Sequence, residues 1–380
     1  MKGYQICTRC VMDTTAEEIK FDSRGVCSFC HYFDENVKPI LELSLSGESK
    51  KMLEAIVTNI KRSGHGRRYD SVLGLSGGVD SSYLAYQASE LGLRPLLVHV
   101  NTGWNSSESE INLKNISDIL EFDLKIIDVD WEEMRDLQIA FYKSAVMNCE
   151  IPQDHAFLAV LYKEASKIGA NYILSGGNLA TESILPKSWG YNAGDARHLL
   201  EIHKRFGSHP LQDFPILNFW ERYLYYPFMR KIREVRLLNY MNYNREEAKQ
   251  ILSEKFGWKD YGAKHYESVL TRFFQGYYLP TKFGIDKRKA HFSSLILAGQ
   301  MTREQALEEL KKPPYPSEEL LQSDMAYIAE RLGLSLSEWK EILSLPPRSH
   351  EDYPSNRVLF KIKDILVETL GIRKRRIGKM

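Results

Sequence analysis

Short apolar runs alternate with stretches of helical period along the first half of the chain. Val72, Leu73 and Leu75 form a buried-looking run that predicts a strand, and the positions from Tyr83 to Leu91 follow helical spacing up to Gly92. The pattern repeats, with strands over 95–100, 124–129 and 172–174 and helices over 109–120, 131–146 and 154–168. Strands that are apolar on both faces and separated by helices predict an α/β fold, a parallel sheet with helices on both faces. A helix over 48–60 and a polar turn, Ser63 to Arg68, precede the first strand. Beyond about Asp195 the alternation stops and helical, aromatic-rich sequence takes over, with Phe219 to Pro227 expected in the core. A helix over 246–256 is closed by Gly257, and helical patterns resume through Leu332 and over 337–345, after the prolines Pro313, Pro314 and Pro316. The expected organisation is therefore 1–45, 46–194 and 195–380.

In open α/β sheets ligands bind beyond the carboxyl ends of the strands, and three of those ends carry unusual residues. The first is Ser76-Gly77-Gly78-Val79-Asp80-Ser81-Ser82. Gly77 and Gly78 let the backbone approach a ligand, the amides opening the next helix favour an anion, and Ser76, Ser81 and Ser82 add hydroxyls. A Walker A loop would place a lysine after its glycines; here stand Asp80, Ser81 and Ser82. Asp80 would repel a bare phosphate, so it is expected to meet Mg²⁺ or cap the helix. The second end, Val100-Asn101-Thr102-Gly103-Trp104-Asn105, is expected beside adenine or ribose. The third, Gly176-Gly177-Asn178 leading to Glu182, is expected opposite the phosphates, with Asn178 and Glu182 facing nucleotide or sugar. Cations cluster later: Lys282, Lys287, Arg288 and Lys289 are interleaved with Phe283, Gly284 and Ile285, as in a segment folded against something. Such groups would neutralise a departing pyrophosphate.

Composition narrows the class. The chain has 380 residues, 43% hydrophobic and 27% charged, with a formal net charge of +1. That is more than one core usually spans, and no protein-wide field draws nucleic acid. No apolar run spans a membrane and no signal-peptide core opens the chain, so a cytoplasmic location is expected with no membrane and no nucleic-acid partner. Of five cysteines, Cys7 and Cys10 form one Cys-x-x-Cys pair and Cys27 and Cys30 a second. That spacing predicts a four-thiolate structural Zn²⁺ ribbon, with an iron–sulfur cluster as the alternative. Cys149 is read as core, and Arg373-Lys374-Arg375-Arg376 as a frayed basic end.

The hexapeptide Ser76 to Ser81 resembles the PP-loop of ATP pyrophosphatases, which implies ATP cleaved between its α and β phosphates. The cysteine pairs, Pro152-Gln153-Asp154-His155, Gly176-Gly177-Asn178-Leu179-Ala180-Thr181-Glu182 and Lys282 to His291 together resemble the N-acetyl sugar amidotransferase family, from Cys7 to about Leu307. The resemblance implies an adenine-nucleotide α-hydrolase-like fold and a role in amidino sugars of bacterial surface polysaccharides. It implies ATP and Mg²⁺ as co-reactants and an N-acetylated sugar, free or nucleotide-linked, as substrate. Gly77, Gly78, Val79 and the three serines would cradle phosphates, while Lys282, Lys287 and Arg288 would stabilise pyrophosphate or a sugar diphosphate. The residue after Met1 is Lys2, not the cysteine of an N-terminal-nucleophile glutaminase. Ammonia is thus expected from a separate, histidine-biosynthesis-like glutaminase/cyclase pair. The rivals are a PP-loop tRNA thiolase, for which Cys149 would be the available sulfur carrier, and a non-catalytic adaptor with a decayed nucleotide fold.

Overall fold

The structure is a computed structural model and describes residues 3–260, 262, 266 and 268–369. The basic run Arg373 to Arg376 lies outside them. Five strands pair in parallel: β1 (Ser71–Gly74), β2 (Pro95–Asn101), β3 (Leu124–Asp128), β4 (Tyr172–Leu174) and β5 (Arg233–Val235), in the order β3-β2-β1-β4-β5. The four expected strands form. β5 carries no apolar run that sequence periodicity could register, since Arg233 and Glu234 suit its place at the sheet edge.

Alternate residues of each inner strand enter two separate cores, as the pleat requires. Val72, Leu96, Val98 and Ile173 face a core shared with helices Trp131–Lys143 and Ile151–Ile168. Leu73, Leu97 and Leu174 face a second core, closed by helices Lys50–Ser63, Val79–Glu90, Ser107–Leu120 and Arg245–Phe256. Helix Val79–Glu90 begins four residues before the expected start, because Val79 to Ser82, read as loop, already forms its first turn.

The first core does not stop at the sheet. It continues into the cysteine ribbon and into helices of the second half, where Leu270, Phe273, Tyr278, Ile328 and Trp339 are buried. The ribbon is fastened to that half by polar contacts as well. Arg303 donates to the carbonyls of Cys7 and Cys10, Lys289 pairs with the fully buried Asp13, and the Ser293 hydroxyl accepts from the amide of Val11 at 3.2 Å.

The aromatic run expected in the core is only half there. Phe219 and Tyr226 are buried, whereas Trp220, Leu224, Tyr225 and Phe228 are exposed. The run lies on an irregular, π-type helix, Glu221–Met229, that buries one side and presents the other.

Three histidines are held neutral inside the first core. His198 Nε2 lies 2.9 Å from His350 Nδ1, and His155 bridges the Ala193 carbonyl and the Leu217 amide. Burial lowers His155 and His198 to about 4 and His350 to about 3. The unfolded chain binds protons on these rings near pH 6.5, which the folded chain refuses, so stability must fall as pH drops from about 6.5 towards 4. The urea midpoint should decrease over this range with an uptake approaching three protons on unfolding, each worth about 1.4 kcal/mol per pH unit at most. A midpoint that stays flat from pH 7 to 5 would contradict the assignment.

Candidate active site

The strand order reverses its direction of growth at β1. Its neighbours β2 and β4 are reached on opposite sides, so a crevice opens between the carboxyl ends of β1 and β4. The turn after β1 is Ser76 to Gly78, and the turn after β4 is Ser175 to Asn178. They touch. A Cβ added at Gly176 would lie 2.9 Å from the amide nitrogen of Ser81 and 3.0 Å from the carbonyl carbon of Asp80. The second glycine turn is therefore seated against the helix start that follows the first, rather than across the crevice from it.

Gly77 is needed twice over. Its φ is +80°, and a Cβ there would fall 2.7 Å from the Ser109 carbonyl oxygen. Its own carbonyl accepts from Trp258 Nε1 at 3.0 Å and from Asn112 at 3.3 Å. Gly78 is the N-cap of helix Val79–Glu90 and has no side chain to cap that end, so the positive end of the helix dipole opens on the turn. The Ser76 and Ser81 hydroxyls lie 3.1 Å apart, while Ser82 Oγ is buried with no hydrogen-bond partner among the described residues. A buried orphan hydroxyl beside a helix N-terminus and a glycine-lined wall fits a polyphosphate. Asp80 accepts a hydrogen bond from Tyr243. Burial, then the charge of Asp80 and this bond, keep the Tyr243 phenol protonated.

The end of β2 supports the loop from behind. His99 is buried, donates from Nδ1 to the Leu75 carbonyl at 2.8 Å and accepts the Asn105 amide at Nε2 at 2.9 Å. Burial holds it below the usual histidine range, consistent with this neutral tautomer. Val100 is core, and Asn101 bonds Asp128 at 2.8 Å. Asn178 caps helix Leu179–Glu182 by accepting from the Thr181 amide at 2.9 Å. Its side chain is thus occupied in shaping the turn.

A cavity of about 1190 Å³ lies next to the second glycine turn. The loop residues 76–82 are not in its wall, and the connection runs through Gly177. A Cβ there would lie 3.3 Å from both the Arg236 guanidinium and Glu182 Oε2, two wall residues. Arg245, Arg272, Lys287, Arg288 and Lys312 also line it, with Glu246 and Glu309. Many of these cations have partners. Arg272 grips Asp324 in a bidentate pair at 2.7 and 2.8 Å, and Arg288 is braced by Asp286 and by the carbonyls of Glu309, Lys312 and Pro313. Arg245 differs. It is buried, reaches Glu246 at 3.0 Å through one nitrogen, and its Nε has no hydrogen-bond partner among the described residues.

Of the expected cations, Lys287 and Arg288 reach the cavity and Lys282 does not. Its Nζ donates to the Leu343 carbonyl at 3.1 Å and lies over the Tyr278 ring, beside Cys149. Gly284, at φ +66°, ends the short helix carrying Lys282, so the chain turns before Lys287 and the two ends of the cationic run part company. Arg236, Arg245 and Arg272 escaped the sequence reading because they are scattered singly and converge only in space.

The four ribbon sulfurs all lie within 4.8 Å of one another, and all four cysteines are buried. Cys27 and Cys30 Sγ stand 3.6 Å apart, Cys10 and Cys27 3.7 Å, and Cys7 and Cys30 3.8 Å. A tetrahedron with Zn–S bonds of ~2.3 Å has edges of ~3.8 Å. The set fits one tetrahedral ion, whereas a multi-iron cluster would spread the thiolates over different irons. No disulfide forms. Cys149 is apart, fully buried, and pushed up to about 12 by burial.

With this geometry in hand, similarity to known proteins can be placed on it. Residues 267–366 match the family model described as LPS biosynthesis protein WbpG-like, C-terminal domain. That region supplies much of the cavity wall, including Arg272, Lys287, Arg288 and Lys312. The uncharacterized protein MJ1599 of Methanocaldococcus jannaschii is 23% identical over 322 residues, spanning 82% of this chain and 95% of its own. A solved structure of NMN synthetase from Francisella tularensis aligns at 14% identity over 60% of this chain and 91% of that one, with a TM-score of 0.28.

Two outcomes test the site. Gly77→Ala should cost about 1–3 kcal/mol of stability from the forced φ and the clash with Ser109, and should abolish nucleotide binding measured by calorimetry. Metal analysis should find one ion per chain, and Cys27→Ser should release it and lower the melting temperature.

Proposed function

We propose that this chain is an AMP-forming amidotransferase that converts the acetamido group of an N-acetylated, nucleotide-linked sugar into an acetamidino group, for bacterial surface polysaccharide such as LPS O-antigen. The observation that carries the reading is the uncapped double-glycine turn at the β1/β4 crevice, with its orphan Ser82 hydroxyl, opening beside a cavity walled by cations. The WbpG-like match over the cavity side supports the polysaccharide assignment.

An amide oxygen is a poor leaving group, so the reaction must activate it first. The acetamido oxygen attacks the α-phosphorus of ATP, forming a P–O bond and expelling pyrophosphate. Ammonia then adds to the imidate carbon, and AMP leaves with the original oxygen. The helix N-terminus at Gly78 and the hydroxyls of Ser76, Ser81 and Ser82 would hold the outer phosphates in line. Mg²⁺, when bound, would neutralise phosphate charge, and Asp80 is the loop carboxylate in position to meet it, with Tyr243 fixing its orientation. Arg245, buried and under-bonded between Tyr243 and the cavity, would counter the charge that builds on pyrophosphate as it departs. Lys287 and Arg236 would meet a sugar-linked diphosphate at the cavity wall, and Glu182 stands where it could orient the acetamido group.

The nitrogen donor would be ammonia from a separate glutaminase of the histidine-biosynthesis type. Four of the five cysteines converge on the ribbon, and Cys149, buried and protonated, is poorly placed as a glutaminase nucleophile or a persulfide carrier.

Incubation with ATP, Mg²⁺, ammonium and candidate N-acetylated nucleotide sugars should give AMP, pyrophosphate and, by mass spectrometry, a sugar with one oxygen replaced by NH. ADP as product, or AMP formation that no acetamido sugar stimulates, would overturn the reading. Arg245→Gln should lower kcat by about 10²-fold or more with less effect on KM for ATP. Cys149→Ala should keep AMP formation; its loss would favour a thiolase.

A further inference from the structure

The peptide that joins the two loop glycines is held from outside the loop. The Gly77 carbonyl accepts from Trp258 Nε1 at 3.0 Å and from Asn112 Nδ2 at 3.3 Å. Asn112 is itself clasped by Lys259, donating to its carbonyl at 2.9 Å and accepting from its amide at 2.7 Å. Trp258 is only 3% exposed and Asn112 is fully buried, so both act on the loop from within the core. Trp258 packs there with Leu84, Leu113 and Leu252.

Between two glycines such anchoring decides which way the peptide faces. Gly77 and Gly78 lack the Cβ that elsewhere penalises turning a peptide over, so the unit between them has two orientations of similar intrinsic cost. The peptide is trans and planar, with its N–H opposite its C=O. Two donors on the Gly77 carbonyl therefore aim the Gly78 N–H to the other side, into the turn. There it meets the Ser76 hydroxyl, which accepts at 3.2 Å. Ser76 is exposed, and its hydroxyl stands where an incoming anion would find the amide. The reversed peptide would set a carbonyl oxygen in that place, and a carbonyl oxygen repels phosphate.

The anchor lies at one end of a single helix. Helix Arg245–Phe256 closes at Gly257, with φ +59°, and Trp258 follows at once. Just before its other end Tyr243 donates to Asp80, and Arg245 opens the helix in the cavity wall. One element thus grips the loop at two points, Gly77 and Asp80.

We infer that Trp258, seconded by Asn112, is a positioning residue for phosphate. It locks the Gly77–Gly78 peptide with its amide facing the turn, and an oxygen of the outer phosphates displaces the Ser76 hydroxyl from that amide, freeing the hydroxyl to donate to the same phosphate. The inference rests on the reading of the loop as a phosphate site and adds to it a residue that acts through the backbone.

Calorimetry on the full chain with ATP, inorganic pyrophosphate and AMP tests it. Trp258→Phe keeps an aromatic ring and removes the donor. It should weaken ATP and pyrophosphate by the same factor, about tenfold or more, and leave AMP within about twofold. A lesion of the whole fold would weaken all three and lower the melting temperature in step. Asn112→Ser removes the longer of the two bonds and should show the same pattern with a smaller factor; it carries the test should Trp258→Phe fail to fold. Two results would overturn the inference: variants that bind pyrophosphate as the wild type does, or variants that lose AMP as strongly as pyrophosphate. A wild-type chain that binds neither ATP nor pyrophosphate would overturn the reading of the loop itself, and the inference would fall with it.

Discussion

The rest of the site depends on backbone meeting backbone with no room for a methyl group between. Gly176 closes against Asp80 and Ser81, and Gly77 closes against Ser109. These two approaches fuse the turn after β1, the turn after β4 and helix Ser107–Leu120 into one rigid piece. That rigidity matters because a phosphate-binding turn works through amide dipoles fixed in advance. Dipoles that had to reorganise around the ligand would lose most of their advantage over water. His99, locked between Leu75 and Asn105, extends the same rigidity beneath the loop without adding a charge.

The second half completes this piece rather than sitting beside it. Tyr243 reaches Asp80, Trp258 Nε1 donates to Gly77, and Lys259 exchanges hydrogen bonds with Asn112. Helix Arg245–Phe256 covers the same face of the sheet as the helix that opens at the loop. The cysteine ribbon joins from the far side, where Arg303, Lys289 and Ser293 hold it. Two of these three lie on the helix Arg288–Leu297, which also presents His291 and Arg288 to the cavity. A metal held by the four cysteines would therefore steady a cavity wall from behind.

Legibility in the sequence followed how local each signal was. The inner strands are buried on both faces, so each appears as an unbroken apolar run, and the cysteine pairs announce themselves by spacing alone. The loop was legible because its glycines and hydroxyls are consecutive. Phe219 to Pro227 misled in part because composition cannot tell which side of a helix is buried, and this helix hides Tyr226 while exposing Leu224 and Tyr225. Asn178 has the side chain of a ligand residue and the job of a cap, a choice settled only by where the Thr181 amide points. Arg236, Arg245 and Arg272 left no trace because nothing within a few residues of each marks it as special.

The cavity wall raises a question of charge that its own pairing answers. A site walled by so many cations would repel itself if all were unpaired, yet Arg272, Arg288 and Lys312 are each answered by a carboxylate, from Asp324, Asp286 and Glu309. Such pairs fix geometry without lending much net field to a ligand. The attraction must then come from the groups whose donors are not used up. Arg245 has a buried Nε with no acceptor among the described residues, and Lys287 Nζ lies 5.3 Å from the centre of the Phe274 ring. Arg236 pairs with Glu234 only at 3.5 Å and remains half-exposed. A polyanion entering from the glycine turn would meet the Arg236 guanidinium, which stands against Gly177 at the edge of the cavity.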